Sequence, residues 1–433
     1  MHFSYRLFLF LGLGMLALPA CKKDTSSLLP TITISSPVDG QQFSVLDTIY
    51  VNTTISDDNG LASYSVTLCN GAFMPVQAAV TATVSSNAVS LQFPYVIDNL
   101  QLADGDYYLM VSATDVDNNT ERAYRYIHIS AIPQVRRGFF LVSTPAFGQL
   151  NVSKVDSAWN ISSFTAFASD YSSSSINCLR QQLYLCGKQT GMLRALSLPS
   201  GSLSWSQTPI PGPSDFFTSV RVMNDFLYVS YRDNAIQAFD LNGTMRYSAI
   251  VNSPYYPIKT LLSNNRLYAE HQDPGSSAQK LIVYSGSAGG GLQETLLNVD
   301  VVELFARDAN SIFVLGNAGG QGKLQIYDFN ANGLNEPMSL PAGTILSAAQ
   351  VDANTLLIAM SNGNVYKFTY NPIGLLAQIT GINAQCLRYD PLHSEIITAE
   401  QNTLRVFDYA GGALEQTVLN ADSIADVHIW YNR

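Results

Sequence analysis

The segment "KLQIYDFNANG" (residues 323–333) alternates apolar and polar residues and then ends in a polar turn that contains glycine. Such alternation is typical of a half-buried β-strand that runs into a hairpin turn. The pattern occurs seven times at intervals of 39 to 45 residues, in the segments "QLNVSKVDS" (149–157), "MLRALSLPSG" (192–201), "AIQAFDLNG" (235–243), "KLIVYSGSAGG" (280–290), "KLQIYDFNANG" (323–333), "NVYKFTYNPIG" (364–374) and "TLRVFDYAGG" (403–412). A strand repeat of this length predicts a β-propeller with one four-stranded blade per copy.

The two ends of the repeat region complement each other. The last residues, "SIADVHIWYNR" (423–433), match an innermost blade strand with nothing behind it. The first copy begins at "RRGFFLVS" (136–143) and lacks an innermost strand of its own. Because a closed ring leaves no exposed sheet edge between its ends, we predict a seven-bladed β-propeller at 133–433 that is closed by the C-terminal strand.

Residues 30–132 carry a different pattern of short alternating strands. Turn signals stand at "PVDG" (37–40) and "DDNG" (57–60), and two longer strands meet at "DVDNN" (115–119). The stretch resembles the bacterial Ig-like and cadherin-like modules of exported proteins, which implies a β-sandwich of about 100 residues. The predicted fold is therefore all-β, with an N-terminal Ig-like β-sandwich followed by the propeller.

The acidic turns of the sandwich suggest a cation site. In an Ig-like sandwich, the loops that begin at 57 and 115 lie at the same end of the two sheets. Carboxylates from both loops would then converge on a hard cation such as calcium, and the candidate ligands are Asp57, Asp58, Asp115, Asp117 and Glu121. The alternative is that both segments are solvated polar turns without a metal.

The N-terminus predicts export. A single positive charge, Arg6, precedes the apolar run "LFLFLGLGMLALPA" (7–20), which is too short to span a bilayer comfortably. Leu18-Pro19-Ala20-Cys21 resembles the lipobox of bacterial lipoproteins, and the following "CKKD" resembles tethers of Bacteroides-type lipoproteins. The resemblance implies a signal peptide at 1–20, lipidation of Cys21 and a tether at 21–29. It implies an outer membrane lipoprotein on the periplasmic or cell-surface face, held to the membrane only through the N-terminal lipid. The alternative is an ordinary export signal with an unrelated cysteine.

The blade sequence also has a family resemblance. In "ALSLPSGSLSWSQ" (195–207), Gly201 and Trp205 match the turn glycine and tryptophan of quinoprotein-type repeats, which are similar to YVTN-type repeats. The vicinal cysteine pair of the quinone-dependent dehydrogenases is absent, so no cofactor is predicted. The other cysteines have no metal-ligand or redox spacing and are predicted to be small buried residues: Cys69, Cys178, Cys186 and Cys386.

Charge and motifs exclude several classes of function. The net charge of −10 gives no basis for neutralising a run of phosphates, so no nucleic acid partner is predicted. The sequence contains no HExxH pair of histidines and no GxSxG nucleophile elbow. The chain is therefore predicted to be non-enzymatic.

Three successive loops before innermost strands are rich in aromatic residues: "SDYSSSS" (169–175), "IPGPSDFF" (210–217) and "NSPYYPI" (252–258). In a propeller these loops lie on one face. Together with the neighbouring loop "YRDN" (231–234), they supply the predicted ligand-binding residues, which are Tyr171, Phe216, Phe217, Tyr231, Arg232, Tyr255 and Tyr256. Aromatic rings beside polar groups suit sugars and also protein interfaces. The alternative is that the rings pack the loops against the blades.

These features predict a lipid-anchored envelope binding protein whose propeller face recognises a protein or glycan partner, with the Ig-like module as a spacer. Two rival hypotheses remain open at this stage. One is an exported propeller enzyme of the polysaccharide lyase or glycosidase type, which would use carboxylates from separate blades. The other is a scaffold of an outer-membrane complex.

Overall fold

The computed structural model describes residues 28–233, 235–250, 254–276 and 278–433. The predicted signal peptide, Cys21 and most of the tether lie outside the described residues. Those residues form 36 β-strands and no helix, and they fall into two compact units, the first ending at Ile132 and the second spanning Pro133–Arg433. Within the same residues, no helix is long and apolar enough to cross a membrane.

The first unit is a sandwich of two sheets. The sheets have strand orders β1-β3-β6 and β2-β8-β7-β4-β5. Alternate residues of each strand face the core, as for Ile49, Val51 and Ile55, which are all buried. The strands are β1 (Thr31–Ser36), β2 (Gln41–Ser44), β3 (Thr48–Ser56), β4 (Leu61–Cys69), β5 (Val80–Thr83), β6 (Ala88–Val96), β7 (Gly105–Asp115) and β8 (Thr120–Ser130).

The second unit is built from strands that are short and regularly spaced. In chain order they are β9 (Arg136–Ser143), β10 (Gln149–Asp156), β11 (Ile161–Ala168), β12 (Ser173–Asn177), β13 (Gln182–Cys186), β14 (Leu193–Ser197), β15 (Leu203–Gln207), β16 (Phe217–Met223), β17 (Phe226–Tyr231), β18 (Ala235–Phe239), β19 (Met245–Ile250), β20 (Tyr256–Ser263), β21 (Arg266–Gln272), β22 (Gln279–Ser285), β23 (Gly291–Leu297), β24 (Asp300–Ala306), β25 (Ser311–Ala318), β26 (Gln321–Asp328), β27 (Gly333–Asn335), β28 (Ile345–Asp352), β29 (Thr355–Met360), β30 (Asn364–Thr369), β31 (Gly374–Thr380), β32 (Cys386–Asp390), β33 (Glu395–Glu400), β34 (Thr403–Asp408), β35 (Leu414–Leu419) and β36 (Ile424–Tyr431).

These strands form seven four-stranded antiparallel sheets within the described residues. Blades 2 to 7 are consecutive, namely β12–β15, β16–β19, β20–β23, β24–β27, β28–β31 and β32–β35, whereas blade 1 has the order β11-β10-β9-β36. The innermost strands contact one another around a ring, and β36 contacts both β32 and β12. The predicted all-β class, an Ig-like sandwich followed by a propeller, is confirmed.

The glycine that recurs in the repeat has a packing role. Gly243, in the turn between β18 and β19, has φ +77°, and a Cβ atom there would lie 2.8 Å from the Trp205 ring of the preceding blade. The Trp205 indole N–H donates to Leu241 O of the same turn at 3.0 Å. Gly201 faces Phe164 of blade 1 in the same way. The turn therefore needs glycine both for its left-handed backbone and for the approach of a ring from the preceding blade.

Candidate functional site

The innermost strands of all seven blades border a cavity of about 480 Å³ on the propeller axis. Some strands contribute alternate residues, as β36 does with Asp426 and His428, and others contribute consecutive residues. Its neutral polar lining consists of Ser173, Ser174, Ser175, Ser219, Thr260 and Gln350, and its ionisable lining includes Arg221, Lys259, Glu303, Arg388, Asp426 and His428. The volume and the dense polar lining are those of a site for a small polar ligand.

Arg388 and Asp426 form one ion pair of the cavity. Arg388 Nη2 donates to Asp426 Oδ1, and Arg388 Nε donates to Val427 O at 3.1 Å. Burial acts to raise the pKa of Asp426, but the Arg388 charge, together with His428 and the hydrogen bonds to Asp426, holds that pKa below its ordinary value. Asp426 is therefore ionised at neutral pH.

Arg221 and Glu303 form a second pair, from blades 3 and 5. Arg221 Nη1 lies 2.7 Å from Glu303 Oε1 and donates to Thr260 O at 3.1 Å. Burial acts to raise the pKa of Glu303, and the charges of Arg221 and Lys259 lower it below its ordinary value. Lys259 itself lines the cavity from blade 4 and forms no hydrogen bond or ion pair with the described residues.

Ser174, His428 and Asp426 lie together but do not form a nucleophilic triad. Ser174 Oγ lies 2.7 Å from His428 Nε2 and 3.0 Å from Asp426 Oδ2, and it also contacts the Tyr171 hydroxyl at 2.8 Å. Asp426 Oδ2 is 3.5 Å from the same Nε2. A triad needs the carboxylate on the other ring nitrogen, where it orients the base. Burial lowers the pKa of His428, so the ring is neutral at pH 7.

The carboxylates of the cavity have pKa values below their ordinary range. A general acid for glycoside cleavage needs a raised pKa, whereas the pKa values of Glu303 and Asp426 are both held low by arginines. Burial raises the pKa of Glu270 to about 8, but this residue is 1% exposed and does not line the cavity. The site thus offers binding groups without a poised acid.

Most of the predicted aromatic residues serve the packing of the loops. Phe217, Tyr231 and Tyr256 are buried, and the two tyrosine hydroxyls donate to Gln207 and Gln272. The prediction of an exposed aromatic platform is wrong for these three rings, because burying their large apolar faces between blades is the more favourable arrangement. The partly buried Phe216 packs edge-on against Tyr231, with 5.4 Å between ring centroids.

The remaining predicted residues are split between two places. Tyr171 reaches the axial cavity through its contact with Ser174. Arg232 lies over the Tyr256 ring at 4.3 Å, and Lys280 lies over the Tyr255 ring at 4.4 Å, so these groups meet at the blade surfaces and not in a shared site.

Two other apolar side chains are exposed on the face that carries the loops before the innermost strands. Phe147, between β9 and β10, is fully exposed. Ile210, between β15 and β16, is 64% exposed. The loop sequences did not distinguish rings that pack inward from side chains that face solvent.

The acidic turns of the sandwich do meet, but their carboxylates cap the turns. Val116 N donates to Gly60 O at 3.0 Å, so the two loops lie side by side. Asp57 Oδ1 accepts from the backbone of Asn59 and Gly60, and Asp115 accepts from the backbone and side chain of Asn119. Among the described residues, Asp57, Asp58, Asp115 and Asp117 do not place three ligand atoms together. Asp57 and Asp115 are buried, and Asp57 Oδ2 has no hydrogen-bond partner among the described residues. The turns are therefore not solvated as the alternative supposed, and a calcium site stays a prediction.

The group of potential metal ligands in the described residues is Asp390, His393 and Glu395, and it is occupied by protein groups. Arg136 of blade 1 donates to both Asp390 and Glu395. The Tyr431 hydroxyl, from the closing strand, donates to Asp390 Oδ1 at 2.7 Å. This closure cluster, defined by these five residues, ties blade 7 to blade 1.

The four described cysteines are free; Cys69, Cys186 and Cys386 are buried, as predicted, whereas Cys178 is only partly buried. Cys186 lies opposite Ser173 in the β12–β13 ladder, so Cys178 and Cys186 are not paired. Burial raises the pKa of Cys178 to about 11 and that of Cys386 to about 12, which leaves both thiols protonated and unreactive.

The axial cavity was not predicted from the sequence. A signal for it existed, because innermost strands such as "SVRVM" (219–223) and "CLRYD" (386–390) carry an arginine within an otherwise apolar segment. A charge at such a position must find a partner or water, and in a propeller the axis provides both.

Comparison with known proteins finds a family match for the first unit and similar solved structures for most of the chain. Residues 30–111 match the family model described as Bacterial Ig domain. A solved quinonprotein alcohol dehydrogenase-like protein from Bacteroides thetaiotaomicron is 13% identical and has a TM-score of 0.47, with 92% of this chain and 99% of that chain covered. BamB from Moraxella catarrhalis is 12% identical and has a TM-score of 0.43, with 69% and 93% covered. No curated protein matches this chain in sequence.

Proposed function

We propose that this chain is an exported, lipid-anchored envelope protein whose propeller binds a glycan without turning it over. The observation that supports the proposal is the axial cavity. Its volume of about 480 Å³ suits one or two sugar rings, and its hydroxyl, amide and charged groups suit the hydroxyls of a sugar. The Ig-like module acts as the spacer between lipid and propeller.

The non-catalytic part of the proposal rests on the state of the cavity groups. Ser174 Oγ and Asp426 Oδ2 both lie against Nε2 of His428. The carboxylates of Glu303 and Asp426 are ionised beside arginines. None of these groups is arranged as a nucleophile with its base or as a general acid.

The lipid anchor is supported by the lipobox resemblance at Cys21. We expect the mature protein to incorporate labelled fatty acid and to sediment with outer membranes. The Cys21→Ser variant should lose both properties. A Cys21→Ser protein that still carries the label would refute lipidation at this residue.

A protein partner is the second candidate function, and one observation favours it. Phe147 is fully exposed on the loop-bearing face, and exposed aromatic side chains are enriched at protein interfaces. On this hypothesis the recognition surface is the face around Phe147 and Ile210, and the axial cavity contributes little.

A glycan array with the full chain in detergent separates the two candidates. Ser174→Leu fills the cavity and removes its central hydroxyl, whereas Phe147→Ala alters only the face. We expect the wild type to bind glycan. Ser174→Leu should weaken that binding at least tenfold, and Phe147→Ala should leave it unchanged. Thermal melting confirms that both variants fold. The glycan proposal would be overturned if the chain bound no glycan and an envelope protein co-purified with the wild type but not with Phe147→Ala. Polysaccharide turnover that Asp426→Asn abolishes would refute the non-catalytic role.

A further inference from the structure

We propose that the glycan ligand carries a carboxylate, as a sugar acid does, and that Lys259 and Arg221 bind that group in the axial cavity. This inference rests on the proposed function, since it names the class of glycan that the same cavity takes. It is carried by three observations: the charge balance of the lining, the unpaired state of Lys259 and the free nitrogen of Arg221.

The lining has one more positive than negative charge. Three cations, Arg221, Lys259 and Arg388, face two ionised acids, Glu303 and Asp426. His428 adds no charge, because its buried ring is neutral. This local excess stands out in a chain whose net charge is −10, so the cavity attracts an anionic group that most of the surface repels.

Lys259 is the source of the excess. It is partly buried and forms neither a hydrogen bond nor an ion pair with the described residues. Neighbouring Glu270 does not neutralise it, because the Glu270 carboxyl is buried and holds its proton at neutral pH. A partly buried ammonium without a partner is costly, and a bound anion removes that cost.

Arg221 supplies a second donor beside Lys259. Its contacts to Thr260 O, Glu303 and Leu304 O all use Nη1, which leaves Nη2 without a partner among the described residues. Thr260 follows Lys259 in β20, and Arg221 and Lys259 both line the cavity. Arg388 differs, because its three nitrogens all donate within the protein.

A carboxylate fits this pair better than a phosphate. A single surplus positive charge is neutralised by a monoanion, whereas a dianion would leave an unmatched negative charge in a partly buried cavity. Ser219 and Gln350 lie in the same lining and donate to backbone carbonyls, which leaves their side-chain oxygens to accept from the ring hydroxyls of a sugar.

Calorimetric titration of the full chain in detergent tests the inference. The probes are glucuronate, galacturonate and N-acetylneuraminate, their neutral counterparts glucose, galactose and N-acetylglucosamine, and inorganic phosphate. We expect at least one sugar acid to bind about tenfold more tightly than its neutral counterpart and than phosphate. Lys259→Gln should weaken that binding about 10- to 100-fold and abolish the preference over the neutral sugar. Lys259→Arg should restore most of it.

Lys323→Gln is the matched control for loss of a lysine charge. Lys323 pairs with Glu336 at 3.2 Å on the outside of blade 5 and does not line the cavity, so its loss should not change binding. Equal binding of neutral and acidic sugars, or tightest binding of phosphate, would overturn the acid inference and leave cavity binding intact. If no probe binds and a wider glycan array is also negative, the proposed function itself fails.

Discussion

Glu270 predicts an unusual dependence of stability on pH. Its side chain is 1% exposed, Oε1 lies 3.4 Å from the Val301 N–H, and Oε2 has no hydrogen-bond partner among the described residues. Burial raises the pKa of this carboxyl to about 8 in the folded chain, whereas in the unfolded chain it is about 4.3. Between these two values the folded state holds one proton more than the unfolded state, so stability falls as pH rises.

The size of the effect follows from the shift. One proton of difference costs about 1.4 kcal/mol per pH unit. Over the interval between about pH 4.3 and pH 8, Glu270 therefore removes on the order of 4 kcal/mol from the free energy of unfolding. This loss runs opposite to the usual carboxylate, which stabilises a protein as pH rises through its depressed pKa.

Glu270→Gln removes the titration while keeping the side-chain shape and one acceptor oxygen. We expect urea unfolding at pH 5, 6, 7 and 8 to show that the free energy of unfolding of the variant, relative to that of the wild type, increases by about 1 kcal/mol per pH unit. Its amide N–H groups lack partners, so the variant starts less stable than the wild type at pH 5 by roughly 1–3 kcal/mol. A difference between the two proteins that stays constant with pH would refute a buried, protonated Glu270.

Three further predictions concern the packing and closure of the propeller. Gly243→Ala should lower the free energy of unfolding by about 2 kcal/mol, because the new Cβ strains a backbone with φ +77° and meets the Trp205 ring. Gly212 has open space around it, so Gly212→Ala should be neutral in the same thermal melts. Arg136→Met should cost roughly 1–3 kcal/mol because it removes the cation that Asp390 and Glu395 share, although Asp390 keeps its bonds to Tyr431 and His393. A loss below about 1 kcal/mol would show that Arg136 does not help to hold the ring. Asp170 accepts hydrogen bonds from four backbone N–H groups at residues 188–191, which together outweigh burial and hold its pKa at about 2. Asp170→Asn should therefore lower the free energy of unfolding by about 2 kcal/mol at pH 7. The difference in stability between variant and wild type should vanish as pH falls from 4 to 2, where Asp170 becomes protonated.

The repeat made the architecture predictable because each blade is a local hairpin series, and local alternation is visible in the sequence. The cavity was not predictable in this way. Ser174 and His428 are 254 residues apart, and Arg221 and Glu303 are 82 residues apart, so their contacts exist only once the ring is formed. The aromatic loops failed as predictors for a related reason. Whether a ring such as Phe217 faces solvent depends on the gap between two blades, which a loop sequence does not encode.

The ring also explains why Lys259 is left without a partner. Arg221 of blade 3 pairs with Glu303 of blade 5, and Lys259 lies on blade 4 between them. The glutamate that would otherwise neutralise Lys259 is therefore already held by Arg221.

A propeller selected for stability alone would gain by an apolar residue at this position, since even paired buried charges rarely outperform apolar packing. A ligand that binds only the folded state offsets this loss of stability, because the stabilisation increases with the logarithm of the ligand concentration. The melting temperature should therefore rise with added sugar acid in the wild type and rise much less in Lys259→Gln at the same concentration, which links the charge balance of the axis to the function proposed for it.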